Sequence, residues 1–211
     1  MLSSSRTLVV YTFMAALMTV ILIVPFYLFW DLPLAEAAHA LKGSLWITVG
    51  KFISWFASKT VIQTVAFFAL VAGALDAMLY GFGQRARMIL LLALSTISAM
   101  LLGDELKWFF GRCRPPLFFE DGSYGFTWFS GEYLKNSFPS GHTLRAFSLA
   151  TALYFVLPRK RYLHYLPLAV AVLAGISRVV VGKHYPSDVL FGLLIGVVCA
   201  VWAHFFLFRK E

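Results

Sequence analysis

Three short stretches of this sequence hold side chains able to handle a phosphoryl group: KWFFGRCRP at 107–115, FPSGH at 138–142 and SRVVVGKHYPSD at 177–188. Lys107, Arg114 and Arg178 are cations, His142 and His184 are imidazoles, and Pro139-Ser140-Gly141 is a turn set directly before an apolar helical run. A helix start of that kind offers free backbone amides and the positive end of its dipole to an anion. Lys107 and Arg114 stand seven residues apart, two helical turns, so a continuing helix carries both on one side until Pro115 and Pro116 end it. His184 and Asp188 are four apart, the spacing at which a carboxylate reaches an imidazole on a helix, although Pro186 equally allows a turn leading into the next helix. Phosphoryl transfer asks for such a set: cations and fixed N–H groups for the equatorial oxygens, a nucleophile on one side and an acid at the leaving oxygen on the other. Neutral imidazole attacks phosphorus, and an adjacent carboxylate fixes its tautomer and stabilises the positive charge that develops. A second histidine, kept protonated by the phosphate, gives its proton to the departing oxygen. This chemistry needs no metal, no metal-ligand set stands out, and no cofactor is expected.

The elements that must hold these residues are set by composition. The chain has 211 residues, 60% of them hydrophobic, with a mean hydropathy of +0.78. Soluble domains run at roughly 45–50% apolar, so lipid is the expected solvent. The net charge of +8 would invite a nucleic-acid reading in a soluble protein, but only 13% of residues are charged and they sit between apolar blocks. They read as topology signals plus an anion site, with a bilayer and a phosphorylated lipid as partners and no nucleic acid. Blocks long enough for a hydrocarbon core of about 30 Å run at 8–30, 61–81, 86–104, 143–158, 162–181 and 188–208. The expectation is an all-α bundle of six transmembrane helices forming one domain over 1–211, the fourth helix being the shortest. The first block exceeds the apolar core of about 7–15 residues in a signal peptide, so it is expected to stay as a helix. Residues 31–60, with Trp46 and Trp55, are expected as an amphipathic helix or pair of helices lying on the membrane. Arg6, Arg85, Arg87, the cluster Arg159-Lys160-Arg161, and Arg209-Lys210 fall on one side, which the positive-inside rule makes cytoplasmic. The three reactive stretches then fall together at the opposite, outer face. Oligomeric state is not legible in these residues.

The three stretches resemble the signature of the type 2 phosphatidic acid phosphatase (PAP2) family, K-x6-RP, PSGH and SR-x5-H-x3-D. Every specified position matches: Lys107, Arg114, Pro115; Pro139, Ser140, Gly141, His142; Ser177, Arg178, His184, Asp188. Taken singly each residue has an ordinary reading, such as an interfacial histidine or a snorkelling arginine, and it is the joint match in order that carries the resemblance. The resemblance implies six transmembrane helices and metal-independent hydrolysis of a lipid phosphate or diphosphate in a membrane enzyme. By it His184 forms a phosphohistidine, Asp188 orients it, His142 is the general acid, and Lys107, Arg114, Arg178, Ser140 and Gly141 bind phosphate. Undecaprenyl diphosphate, phosphatidylglycerol phosphate, phosphatidic acid and the phosphate of lipid A are all compatible substrates, and a bacterial inner membrane with an outward-facing site suits the plain architecture. Transfer of the phosphoryl group to another lipid, vanadate-dependent haloperoxidation and non-hydrolytic lipid transport use similar residues. The lipid-spanning blocks argue against the haloperoxidase.

Outside the signature, Arg112, Arg145 and Lys183 fit added positive field, contact with a second phosphate or a solvated role. His39, His164 and His204 are expected to be structural or interfacial. Asp76 sits inside the second span, where an acid is costly, and is expected to find a structural partner. Cys113 and Cys199 lie in unlike surroundings and are not expected to pair. The aromatic, glycine-rich segment 117–137 fits a lid and an interfacial aromatic loop equally.

Overall fold

A helix that is apolar on every side must face lipid, protein or both, and α1, Ser5–Pro25, buries only Leu8 while Phe13, Met14, Leu17 and Met18 point outward. The computed structural model describes residues 4–159 and 162–209. Lys160, Arg161 and Lys210, part of the expected cytoplasmic charge, lie outside them. A π-helical turn over Phe26–Trp30 follows Pro25 and leads directly into α2, Asp31–Ala40. Then come α3, Leu45–Phe56, and α4, Lys59–Tyr80, followed by α5, Gln84–Phe110, and the short α6, Pro115–Asp121. The remaining helices are α7, Gly141–Val156, α8, Leu166–Val180, and α9, Pro186–Phe208. No β-strand occurs among the described residues, and a single bridge pairs Arg112 with Phe126. The stretch 31–60, expected as an amphipathic helix or pair of helices, forms α2, α3 and the start of α4.

Local chemistry sets the boundaries. Ser4 and Ser58 accept backbone N–H groups at the starts of α1 and α4, at 3.3 and 3.4 Å. Pro167 and Pro186 open α8 and α9, where a missing N–H does no harm. At Gly81 (φ +85°) the chain leaves α4 in a conformation that side-chain-bearing residues rarely adopt. Across that turn Asp76 pairs with Arg85, the structural partner expected for it.

Among the described residues, five helical segments are long and apolar enough to cross a membrane: Ser5–Ala40, Leu45–Tyr80, Gln84–Phe110, Leu163–Val180 and Pro186–Phe208. The expected fourth span is α7, whose 16 residues rise about 24 Å at 1.5 Å each, short of the hydrocarbon core. One expectation is corrected. The helix bearing Lys107 does not continue to Pro115; it ends at Phe110, with Gly111 in a left-handed cap (φ +55°), and Pro115 starts a new helix instead. The last carbonyls of α5 are taken up in sequence: Gly111 O, Phe110 O, Phe109 O and Trp108 O accept the amides of Thr127, Trp128, Phe129 and Ser130 at 2.9–3.1 Å.

The centre of the bundle is α7, packed on α5, α8 and α9. Leu144, Ala99, Met100, Ile195 and Cys199 form its main apolar cluster, and both cysteines are buried and free. Helix α9 meets α7 through Gly192 and Gly196, four apart on one face: a Cβ on Gly192 would stand 2.8 Å from Ser140 O, and one on Gly196 2.5 Å from Leu144 O. Small residues at this spacing let backbones approach when lipid removes the usual hydrophobic drive. Because the obstruction is backbone, Gly196→Ala is expected to lower stability by about 1–3 kcal/mol, read as an earlier unfolding midpoint in detergent. An unchanged midpoint would mean that α9 is free to shift.

Candidate active site

Close contact of α7 and α9 sets two helix starts side by side. Ser140 is the N-cap of α7, and its N–H donates to the Asp188 carbonyl at 3.0 Å, binding the PSGH turn to the first turn of α9. Thr143 Oγ1 donates to Ser140 Oγ at 2.9 Å. Gly141 is needed for room: a Cβ there would lie 3.1 Å from Arg145 Nη1 and 3.4 Å from Lys107 Nζ. Both cations therefore approach the start of α7, and Lys107 Nζ donates to Pro139 O at 2.5 Å.

His184 lies in the turn between α8 and α9 and is 3% exposed. Its Nδ1 is 3.5 Å from Asp188 Oδ2 and 3.5 Å from Ser137 Oγ, which leaves Nε2 on the opposite edge of the ring. Asp188 is fully buried at the third position of α9, where a carboxylate meets the positive end of the helix dipole. Its Oδ2 also accepts Ser137 Oγ at 2.6 Å and the Tyr185 amide at 2.9 Å, and its Oδ1 accepts Arg112 Nη1 at 2.5 Å. Burial is the largest influence pushing the His184 imidazole down to about 3; the Asp188 carboxylate opposes it, and the charges of Arg114 and Lys107 add to it. A ring so placed is neutral at physiological pH.

His142, on the first turn of α7, has the cations Arg178, Arg145 and Lys107 around it, and Arg145 Nη2 lies 3.4 Å from its Nδ1. Arg114 spends Nε and Nη2 on the carbonyls of Tyr133 and Asn136, at 2.9 and 3.0 Å. Arg178 keeps a buried Nε without a protein partner. Lys107, Arg114, Ser140, Gly141, His142, Arg178, His184 and Asp188 are thus gathered at one end of the bundle. Lys107 and Arg114 meet there by reversal of the chain after Gly111, not along one helix face.

Several contributors were not legible in the sequence. Arg112 is neither solvated nor directed at a phosphate: it is fully buried, paired with Asp188 and, through Nη2 at 2.7 Å, with Asp31. Burial opposes its charge, but the Asp188 and Asp31 carboxylates more than offset this and hold the guanidinium above its ordinary range. Arg145 is buried and donates Nε to Ala57 O at 3.2 Å. Asp31, Ser137 and Ser187 carried no signal beyond Asp31 being an acid at the edge of an apolar run. His39 and His164 pack at a tilt against Phe119 and Tyr154, and His204 stacks on Phe155.

Residues 88–211 match the PAP2 superfamily. The chain belongs to the PAP2 superfamily. A lipid A 1-phosphatase from Rhizobium etli is 48% identical over 98 residues, 46% of this chain and 40% of that protein. The chain therefore spans less than half the length of that curated relative. Among solved structures, Aquifex aeolicus LpxE superposes with a TM-score of 0.60 at 25% identity, covering 82% of this chain and 93% of that one. The transmembrane PAP2 type phosphatidylglycerolphosphate phosphatase of Bacillus subtilis superposes at 0.66 with 22% identity, over 92% and 94%, a likeness of fold. With five apolar segments of spanning length, this PAP2 chain is an integral membrane protein.

Proposed function

We propose that residues 1–211 form one membrane enzyme that hydrolyses a lipid phosphate or diphosphate through a phosphohistidine at His184. The observation carrying this reading is the neutral, buried imidazole held by Asp188 on one edge, with Lys107 and Arg114 acting on it from nearby. The Nε2 lone pair forms a bond to phosphorus while the P–O bond to the lipid breaks, its electrons leaving on oxygen, which takes a proton from His142. Water then attacks phosphorus, His142 takes its proton, and the N–P electrons return to Nε2. Lys107, Arg114, Arg178, the Ser140 hydroxyl and the Gly141 amide meet the equatorial oxygens, and the Arg178 Nε, buried without a partner among the described residues, supports that role.

An apolar cavity of about 520 Å³ supports a lipid substrate. Its walls include Phe56, Ala57, Ala146, Leu149 and Val170, and Ala57 is also the residue whose carbonyl holds Arg145 beside His142. A tail lying there keeps its headgroup at the cations. In this reading α7 is the fourth of six spans, short because its first turn forms the floor of a site recessed below the outer surface, and the site faces outward from a bacterial inner membrane.

The test is phosphate release from lipid A 1-phosphate, undecaprenyl diphosphate, phosphatidylglycerol phosphate and phosphatidic acid, with His184→Ala as blank. The Rhizobium relative puts lipid A 1-phosphate first. Release above the blank from none of the four would end this reading. Activity is expected to persist in EDTA within about twofold, because each charge of the transition state is met by a side chain or an amide; strict dependence on added Mg²⁺ would contradict the mechanism.

A further inference from the structure

Behind the His184–Asp188 pair lies a second ion pair that the hydrolytic mechanism does not use. Asp31, the first residue of α2, is fully buried and accepts from Arg112 Nη2 at 2.7 Å, from the Ser187 amide at 3.0 Å and from Ser187 Oγ. That is the environment of an ionised carboxylate. Arg112 bridges the two acids, with Nη1 on Asp188 and Nη2 on Asp31, and its guanidinium is enclosed by the rings of Tyr27, Tyr124, Phe126 and Tyr185 at 4.6–5.5 Å. Water is excluded, so the charges act on one another with little screening. Asp31 precedes the stretch matched to the family, which begins at residue 88.

The charge count gives this arrangement a purpose. An acid meant to stabilise a cationic imidazole is here in direct contact with a guanidinium, which by itself cancels the acid's charge. We propose that Asp31 is a positioning residue for the reaction: through Arg112 it restores the single negative charge that His184 meets when Nε2 bonds to phosphorus. Asp31, Arg112 and Asp188 sum to minus one, and the ring, which keeps its Nδ1 proton against Asp188, brings the sum to zero on phosphorylation. Without the Asp31 charge the same step runs from zero to plus one, an unbalanced charge in a site closed to water. Asp31 touches neither substrate nor reacting atoms and acts only through Arg112 and Asp188.

The inference rests on the phosphohistidine reading, and the experiment separates the two. The full chain in detergent is mixed with whichever of the four lipids releases most phosphate, radiolabelled at the scissile phosphorus, and label on His184 is followed by rapid quench. Wild type acquires label; if it acquires none, the phosphohistidine reading falls and this inference with it. Asp31→Asn keeps size and most hydrogen bonds but loses the charge, and is expected to slow labelling about 30-fold with KM changed less than about threefold. In the double variant Asp31→Asn/Arg112→Gln only Asp188 remains charged, the sum is minus one again, and labelling is expected to recover at least about tenfold over Asp31→Asn. Should Asp31→Asn fail to fold, the double variant is compared with wild type directly, with a rate within about tenfold expected. Wild-type labelling by Asp31→Asn, or a double variant slower than the single, would overturn the inference.

Discussion

His184→Ala is expected to lower phosphate release by at least about 10⁴-fold, while a lipid phosphate still binds. In the proposed mechanism the variant removes the atom that forms the N–P bond and leaves Lys107, Arg114 and Arg178 in place, so a ground-state anion would keep the partners proposed for it. A loss of that size corresponds to about 5.5 kcal/mol of transition-state stabilisation. Single-turnover release and equilibrium binding, measured on the same preparation, separate the two effects; release above about one part in a hundred of wild type would place the nucleophile elsewhere. A pH consequence accompanies it. The His184 imidazole titrates near 3 in the folded protein against about 6.5 in an unfolded chain. Between those values the unfolded chain holds the extra proton, so His184 leaves stability untouched above about 6.5 and lowers it as pH falls toward 3. The slope reaches about 1.4 kcal/mol per pH unit, and His184→Ala should flatten that part of a stability-against-pH curve.

Arg112→Met is expected to reduce folding stability by about 3–5 kcal/mol, a large fraction of the usual 5–15 kcal/mol. The reason is geometric. Asp31 and Asp188 both face the same guanidinium, both are fully buried, and among the described residues neither pairs with another Lys or Arg. Methionine fills the stem but leaves two carboxylates facing each other across an aromatic enclosure. Chemical denaturation in mixed micelles reads the loss, and adding Asp31→Asn should return part of it by removing one of the stranded charges. A loss below about 1 kcal/mol would mean that water reaches the enclosure and screens the acids.

The comparison between sequence and structure divides along the range of the interactions. Apolar runs announce helices because lipid demands them, and Lys107, Arg114, His142, Arg178, His184 and Asp188 announce a site because their types and order are unusual together. What stayed hidden depends on chain reversal. Nothing in KWFFGRCRP says that the helix ends at Phe110; the terminator is Gly111, and its effect shows only once the amides of 127–130 are available to receive the freed carbonyls. Arg112 looked like any basic residue near a membrane surface, because its partner Asp31 is 81 positions away. The shortfall of α7 was visible as a short apolar block, but its central position in the bundle was not. Glycine spacing at Gly192 and Gly196 could have been read as a helix contact, though not as the one that brings Ser140 against Asp188.

The capping of α5 by Thr127–Ser130 also decides what kind of wall the aromatic loop makes. Trp128 and Phe129 stand 47% and 61% exposed, as a hinged flap over a site would, yet their amides are the ones that seal the end of the helix carrying Lys107. Lifting them would strip four carbonyls in an oily surrounding and loosen the lysine at the same moment. The loop is therefore a fixed rim, and in the proposed reading a long-tailed lipid would enter from the side, between helices, and not from above.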